Sequence, residues 1–234
     1  MTYKTWMLAA ALAAAPFCAS QAEDLRLPGG EVLPMGDAVE VTAVSDSAVG
    51  QFLSAHLEDA FTEDKIAGTL RKMGIYSGDE EAGRALAGLL AAAASQGEFR
   101  ILSGAGHEMA VFSVHADSAY IGKVSSLLSK AKWPGGEAGL SVRHMLPLSV
   151  GVFTVADVSG WEEGASAAGV GYRLGGAEVS AGTGFGLSLP LHLEALVQTD
   201  PDGGETYSLF LATEDGADFF LPALRGAVTE AAME

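Results

Sequence analysis

The sequence predicts an α+β fold in which an antiparallel β-meander in the C-terminal half is packed by helices. Before residue 97, apolar residues recur at helical spacing, and from Glu98 onward they alternate with polar residues. Short turn motifs connect the alternating segments, and strands joined by short turns are antiparallel neighbours. Segregation of helices from strands favours α+β over a doubly wound parallel sheet. We therefore expect an N-terminal helical cluster, one sheet and a C-terminal helix.

Residues 1–22 have the features of a cleaved signal peptide. A single cation, Lys4, precedes an apolar stretch from residue 6 to residue 17, and small residues at Ser20 and Ala22 precede a polar segment. The apolar stretch is shorter than the roughly 20 residues that a membrane-spanning helix needs. The sequence therefore predicts cleavage after Ala22, no stable membrane insertion afterwards, and a periplasmic or secreted bacterial protein.

The composition disfavours several classes of function. The chain has 30 acidic and 13 basic side chains and a formal net charge of −17, and cleavage would remove only Lys4 from this balance. Nucleic acid and anionic membranes are bound by clustered Lys and Arg, so neither is an expected partner. The single cysteine, Cys18, lies in the signal peptide without the small residue before it that lipidation requires. The exported chain is therefore expected to have no disulfide and no thiolate ligand, and no metal or cofactor is predicted.

The N-terminal part of the exported chain is predicted to hold an extended lead-in, a short strand and three helices. The lead-in covers residues 23–37, and the strand runs from Val39 to Val44. Capping residues precede three apolar stripes, which predicts helices from Asp46 or Ser47 to Ala60, from Thr62 to Gly74 and from Asp79 to Ala94. No linker or repeat interrupts residues 23–234, so we expect a single domain, within which residues 45–96 could form a helical subdomain.

A hairpin and a fourth helix are predicted next. Residues 98–103 and 108–115 alternate as strands, and Gly104, Ala105 and Gly106 between them favour a tight turn. Asp117 can cap a helix that continues to about Lys132, where a Trp-Pro-Gly-Gly sequence ends it.

The C-terminal meander is predicted to contain strands and a terminal helix. Residues 140–158 alternate as one long strand, or as two split at Pro147, and further strands are Ser166–Leu174, Ala177–Phe185, Leu187–Thr199 and Glu205–Thr213. The turn between the last two is Asp200–Gly204. The terminal helix should begin at Asp215 or Asp218, because Pro222 is tolerated only in a first turn.

His144 is the candidate ligand-binding residue. It occupies an otherwise apolar position between Val142 and Leu146, and a titratable group at a core-facing position is a sign of a functional site. A hydrogen-bonded core histidine, or a register change at Pro147, explains the same pattern.

Other motifs give weaker indications of chemistry. His107 and His115 are expected at opposite ends of one strand, too far apart to share a metal. His192 and Glu194 share the polar face of a strand, which is expected to be solvated. Ser129–Lys132 matches the S-x-x-K motif without its companion motifs, and no G-x-S-x-G motif is present. The glycines at 182, 184 and 186 open no predicted helix, so they indicate close packing or the approach of a ligand rather than a phosphate loop.

Three functional hypotheses follow from the sequence. The first is a non-enzymatic exported binding or accessory protein that holds an apolar small ligand or a partner protein on the helix-covered sheet. The second is a metal-independent hydrolase with His144 as the base, which requires a serine and a carboxylate beside it in an accessible pocket. The third is a self-associating structural module, which requires a broad apolar surface patch.

Overall fold

The structure of the protein, a computed structural model, describes residues 24–30, 32–36, 39–76, 78–132, 148–150, 153–158, 162–165, 171–182 and 188–231. The predicted signal peptide and its cleavage site lie outside these residues. In chain order the elements are β1 (Leu25–Arg26), β2 (Val32–Leu33), β3 (Glu40–Thr42), α1 (Ala48–Ala60), α2 (Glu63–Lys72), α3 (Glu80–Ala94), β4 (Glu98–Gly104), β5 (His107–Ala116), α4 (Ser118–Leu128), β6 (Leu148–Val150), β7 (Phe153–Val158), β8 (Glu162–Ala165), β9 (Gly171–Gly182), β10 (Ser188–Thr199), β11 (Glu205–Ala212) and α5 (Glu214–Ala231).

Nine of the described strands form one antiparallel sheet, which confirms the predicted fold class. The strand order is β3-β4-β5-β11-β10-β9-β7-β6, and β8 pairs with β9 beside β7. The pairing of β5 with β11 joins the N-terminal hairpin to the C-terminal meander. The predicted turn between β4 and β5 has positive φ at both Ala105 (50°) and Gly106 (84°), as a two-residue hairpin loop of type I′ requires.

Helices cover both faces of this sheet. On the face that we call the α1 face, Leu53 and Ala60 of α1 pack against buried sheet residues, among them Ile101, Ala110, Phe153, Val179, Leu191 and Leu211. On the opposite face, the α5 face, Phe220 and Leu224 of α5 pack against Leu102, Met109, Val111, Leu196 and Phe210. Burial of apolar surface on both faces makes the sheet the central layer of the molecule.

The predicted extended lead-in is part of the core. Leu25 in β1 lies opposite Leu33 in β2, and both side chains are buried with α5 against the α5 face. Gly30, with a φ of 95°, lies in the turn between the two strands. Each strand has only two residues, so the alternation was too short to predict either one.

The helices α2, α3 and α4 surround a smaller apolar cluster, and this cluster contains Met73, Ile75, Tyr76, Ala82 and Leu86. Side-chain caps confirm the predicted starts of α1 and α3, whereas Thr62 precedes α2 without a capping hydrogen bond from its side chain. Ser47 accepts a hydrogen bond from the backbone N–H of Gly50, and Asp79 accepts one from that of Ala82. No described helix combines the length and apolar composition needed to cross a membrane.

Two of the predicted strand arrangements are wrong. β6 and β7 pair antiparallel, with Val150 opposite Phe153, so the chain reverses between them instead of continuing as one strand or dividing at Pro147. The segments predicted as strands 166–174 and 177–185 contribute to one strand, β9, which continues through Gly175 and Gly176. All 12 residues of β9 lie opposite residues of β10, and this pairing keeps the two glycines extended.

The start of the terminal helix also differs from the prediction. α5 begins at Glu214, after Thr213, whose hydroxyl accepts a hydrogen bond from the backbone of Gly216 at 3.4 Å. Pro222 lies inside the helix and not in its first turn. Proline has no N–H to donate to a carbonyl of the preceding turn, so one hydrogen bond of the helix is lost. Phe220 and Leu224, on either side of Pro222, are fully buried, and their packing stabilises the helix at this point.

Candidate functional site

The structure does not gather the predicted site residues into one place. His144 lies outside the described residues, so its role stays a prediction. His107 and His115 lie at the two ends of β5, as the sequence predicts. Within the described ranges, no group of three or more His, Cys, Asp and Glu side chains could hold a metal ion.

The face of β10 that carries His192 and Glu194 is solvated only in part: the His192 side chain is 35% exposed, whereas Glu194 is buried, in contrast to the prediction. Glu194 is 1% exposed, because this face of the strand packs under α5. One carboxylate oxygen of Glu194 lies 3.2 Å from the guanidinium of Arg225 on α5, and the other lies 3.4 Å from Nε2 of His192. A buried carboxylate is tolerated where it is paired, so this cluster links the sheet to α5.

His115, Asp200 and Thr206 meet beside the β10–β11 turn, but their geometry is not that of a catalytic relay. Nδ1 of His115 lies 3.1 Å from the hydroxyl of Thr206 and 3.7 Å from the carboxylate of Asp200. A nucleophile–histidine–carboxylate relay uses one ring nitrogen for the hydroxyl and the other for the carboxylate. Because both groups lie at Nδ1, the histidine is not placed to pass a proton from Thr206 towards Asp200.

A strip of buried polar side chains extends from this turn across the α5 face. Ser113, Thr206, Ser208 and Gln198 are each at most 7% exposed, and the hydroxyls of Ser113 and Ser208 are 2.9 Å apart. The side-chain oxygen of Gln198 has no hydrogen-bond partner in the part of the chain that the structure describes. The strip is closed to solvent, so it offers no surface to an approaching ligand.

An open cleft lies where α2 and α3 approach the segment that connects them. Its volume is about 200 Å³. α2 supplies Ala67, Leu70 and Arg71, α3 supplies Glu80, Gly83 and Arg84, and the connecting segment supplies Tyr76 and Gly78. On each helix the three residues follow the i, i+3, i+4 spacing that places them on one face. The cleft is therefore formed by matching faces of two neighbouring helices.

Tyr76 forms a fixed wall of this cleft. A Cβ at Gly83 would lie 3.1 Å from the Tyr76 ring, so the glycine allows the ring to pack directly on α3. The Tyr76 hydroxyl donates a hydrogen bond to the carbonyl of Leu127, 3.0 Å away on α4. Burial raises the pKa of Tyr76, and the negative charge of Asp79 raises it further.

The charged side chains of the cleft form no ion pair with any described residue. Arg71, Arg84 and Glu80 are all exposed, and none of them belongs to an ion pair of the described chain. Glu80 precedes Arg84 by four positions, the spacing at which such side chains commonly pair on a helix, but the two remain apart. The cleft thus presents two guanidinium groups and one carboxylate to solvent.

This cleft was not predicted from the sequence. Glu80 in the first turn of α3 and Arg71 in the last turn of α2 are where the helix dipole favours acidic and basic side chains, so both have an ordinary structural explanation. The sequence did contain one signal: on each of the two helices an arginine, Arg71 or Arg84, lies at position i+4 of an i, i+3, i+4 set that also contains a small residue. Comparison of the chain with models of known protein families gives no match, and comparison with curated proteins gives none either.

Proposed function

We propose that the protein is an exported, non-enzymatic binding protein that holds a small ligand with an anionic group in the cleft between α2 and α3. One observation carries the proposal: Arg71 and Arg84 line the same cavity and neither is paired with a described carboxylate. Export rests on the predicted signal peptide of residues 1–22.

The two arginines of the cleft differ from the other described arginines by sharing one cavity. Arg100, Arg173 and Arg225 each pair with a glutamate. Arg26 is also outside the ion pairs of the described chain, but only Arg71 and Arg84 line the cleft together. The planar guanidinium binds a carboxylate or a phosphate through two parallel hydrogen bonds, and this supports an anionic group as the ligand for Arg71 and Arg84.

The apolar part of the cleft favours a ligand that also has a small apolar group. Ala67, Leu70 and the Tyr76 ring provide apolar surface beside the two arginines. We therefore place the apolar ligand expected from the sequence at the helices and not on the sheet, where α1 and α5 pack against buried residues of the two faces. A volume of about 200 Å³ is below the usual range for drug-sized ligands and suits a smaller molecule.

The two alternative functions have less support. The hydrolase hypothesis depends on His144, which lies outside the described residues, and it stays a prediction. The self-association hypothesis requires an exposed apolar patch, whereas the exposed large apolar side chains of the described chain lie on three different elements, Val32 on β2, Leu128 on α4 and Tyr207 on β11.

The proposal is tested by NMR titration of the isotopically labelled exported chain, residues 23–234, with butyrate and with inorganic phosphate. We expect at least one anion to shift the amide resonances of residues in the cleft and the Arg71→Ala/Arg84→Ala variant to bind it about tenfold more weakly. Lys72→Ala is the matched control, since Lys72 neighbours Arg71 but does not line the cleft. Absence of shifts in the cleft with both anions, or equal binding by the double variant, would overturn the proposal.

A further inference from the structure

We infer that the ligand of the α2–α3 cleft is a zwitterion of amino-acid size, with a carboxylate held by Arg71 and Arg84 and an ammonium group held by Glu80. This inference rests on the proposed function and specifies its ligand class. It accounts for all three charged side chains that line the cavity, whereas a simple anion leaves Glu80 beside it as a repulsive group.

Glu80 is placed to recognise a cation within the same cavity. It lies one helical turn before Arg84 on the same face of α3, and the two side chains form no ion pair with each other. A carboxylate and a guanidinium that line one small cavity without pairing present opposite charges to a bound molecule. A ligand with both charges on adjacent groups matches this arrangement.

The net charge of the protein supports the same ligand class. With a formal charge of −17, the chain repels a free anion and lowers its concentration near the cleft. A zwitterion has no net charge, so it approaches without this repulsion and still presents a carboxylate to the arginines.

The volume and the apolar wall of the cleft indicate the size and the chemistry of the uncharged part of the ligand. A protein cavity of about 150 Å³ holds a molecule as large as benzene. The 200 Å³ of the cleft therefore accommodates an amino acid with an aliphatic side chain. Ala67, Leu70 and Tyr76 are the surfaces that such a side chain would contact.

The test compares three ligands of nearly equal shape by NMR titration of the exported chain. L-leucine has both charges, 4-methylpentanoate is leucine without its amino group, and L-leucinamide lacks the carboxylate. We expect leucine to bind most tightly, 4-methylpentanoate about fivefold more weakly, and leucinamide more weakly still, as the loss of exposed ion pairs implies. Glu80→Gln should abolish the difference between leucine and 4-methylpentanoate, and Glu81→Gln, a neighbouring change outside the cleft, should preserve it.

The outcomes separate this inference from the proposed function. If 4-methylpentanoate binds as tightly as leucine and both require Arg71 and Arg84, the inference is wrong and the anion-binding function stands. If Glu80→Gln leaves the preference for leucine unchanged, the inference is also wrong. If neither carboxylate shifts the resonances of the cleft, the inference is wrong, and the anion-binding function fails with it when butyrate and inorganic phosphate also leave these resonances unchanged.

Discussion

Glu194 and Arg225 should respond very differently to the loss of their charges, although they form one ion pair. The carboxylate is 1% exposed, whereas the guanidinium side chain is 59% exposed. Arg225→Met keeps a long unbranched side chain but leaves a buried carboxylate whose remaining partner, among the described residues, is His192. Glu194→Gln leaves Arg225 with its charge in contact with water. We therefore expect the arginine substitution to be the more damaging one.

The magnitudes follow from the two environments. Removing one partner of a buried pair costs about 3–5 kcal/mol, and His192 at 3.4 Å places Arg225→Met at the lower end, about 3 kcal/mol. Glu194→Gln loses charge-assisted hydrogen bonds without stranding a charge, which costs about 1 kcal/mol. In a chain of this size each kcal/mol shifts the melting temperature by about 2–4 °C, so the expected losses are about 6–12 °C and about 2–4 °C.

Urea and thermal unfolding, followed by circular dichroism, measure both effects. Arg100→Met is the matched control, because Arg100 and its partner Glu98 are 45% and 44% exposed and their pairing should contribute less than about 1 kcal/mol. The double variant Glu194→Gln/Arg225→Met should be more stable than Arg225→Met alone, since no buried charge is left unpaired. If Glu194→Gln costs as much as Arg225→Met, or if Arg225→Met behaves like the control, the reasoning from burial is refuted.

Two further predictions concern packing and alkaline stability. A Cβ at Gly97 would lie 2.3 Å from the Phe112 ring, so Gly97→Ala should lower the free energy of unfolding, measured in urea, by about 1–3 kcal/mol. Gly122 on α4 is the control, because its new Cβ would meet no atom within 4 Å, and Gly122→Ala should raise the free energy of unfolding by up to about 1 kcal/mol. If the two substitutions have similar effects, the packing argument is wrong. Partial burial raises the pKa of the half-exposed Tyr207, and Glu205 raises it further, so the native state keeps the phenolic proton to higher pH than the unfolded chain does. The resulting stabilisation is complete below a pH of about 10 and is lost as the pH rises through the native pKa, so Tyr207→Phe should reduce the fall in unfolding free energy above that pH, and an unchanged fall would count against this role.

The parts of the fold that could be predicted from the sequence are those with strong local patterns. The helix that begins after Ser47 combines a capping hydroxyl with an apolar stripe, and Leu53 and Ala60 of that stripe are buried on the α1 face. The alternation of β10 extends over most of its 12 residues, and its limits were predicted to within one residue. Such elements are determined by neighbours in sequence, so a single chain is sufficient to find them.

The errors occur where distant residues decide the structure. Gly175 and Gly176 have the local features of a turn, but complete pairing with β10 keeps them in a strand. Glu194 belongs to an alternating polar face, and it is buried because α5, which follows later in the chain, covers that face. Alternation shows that one face of a strand is polar; it does not show whether another element with a suitable cation will pack upon it.

The cleft was missed for a related reason, and its position follows from how the fold distributes apolar surface. Apolar clusters hold α1 and α5 against the two faces of the sheet, while α2 and α3 share the smaller cluster around Tyr76, with Gly83 and Ala67 as small residues on their facing sides. These small residues allow the two helices to approach each other closely beside Tyr76, and the cleft is the space next to this contact. Charged side chains at helix ends stabilise each helix through its dipole, whatever its neighbours. Only the arrangement of the two helices places these side chains around one cavity. Glu80 and Arg71 can therefore support the helices and, together with Arg84, hold a zwitterion, and the response of ligand preference to Glu80→Gln distinguishes binding from a purely structural role.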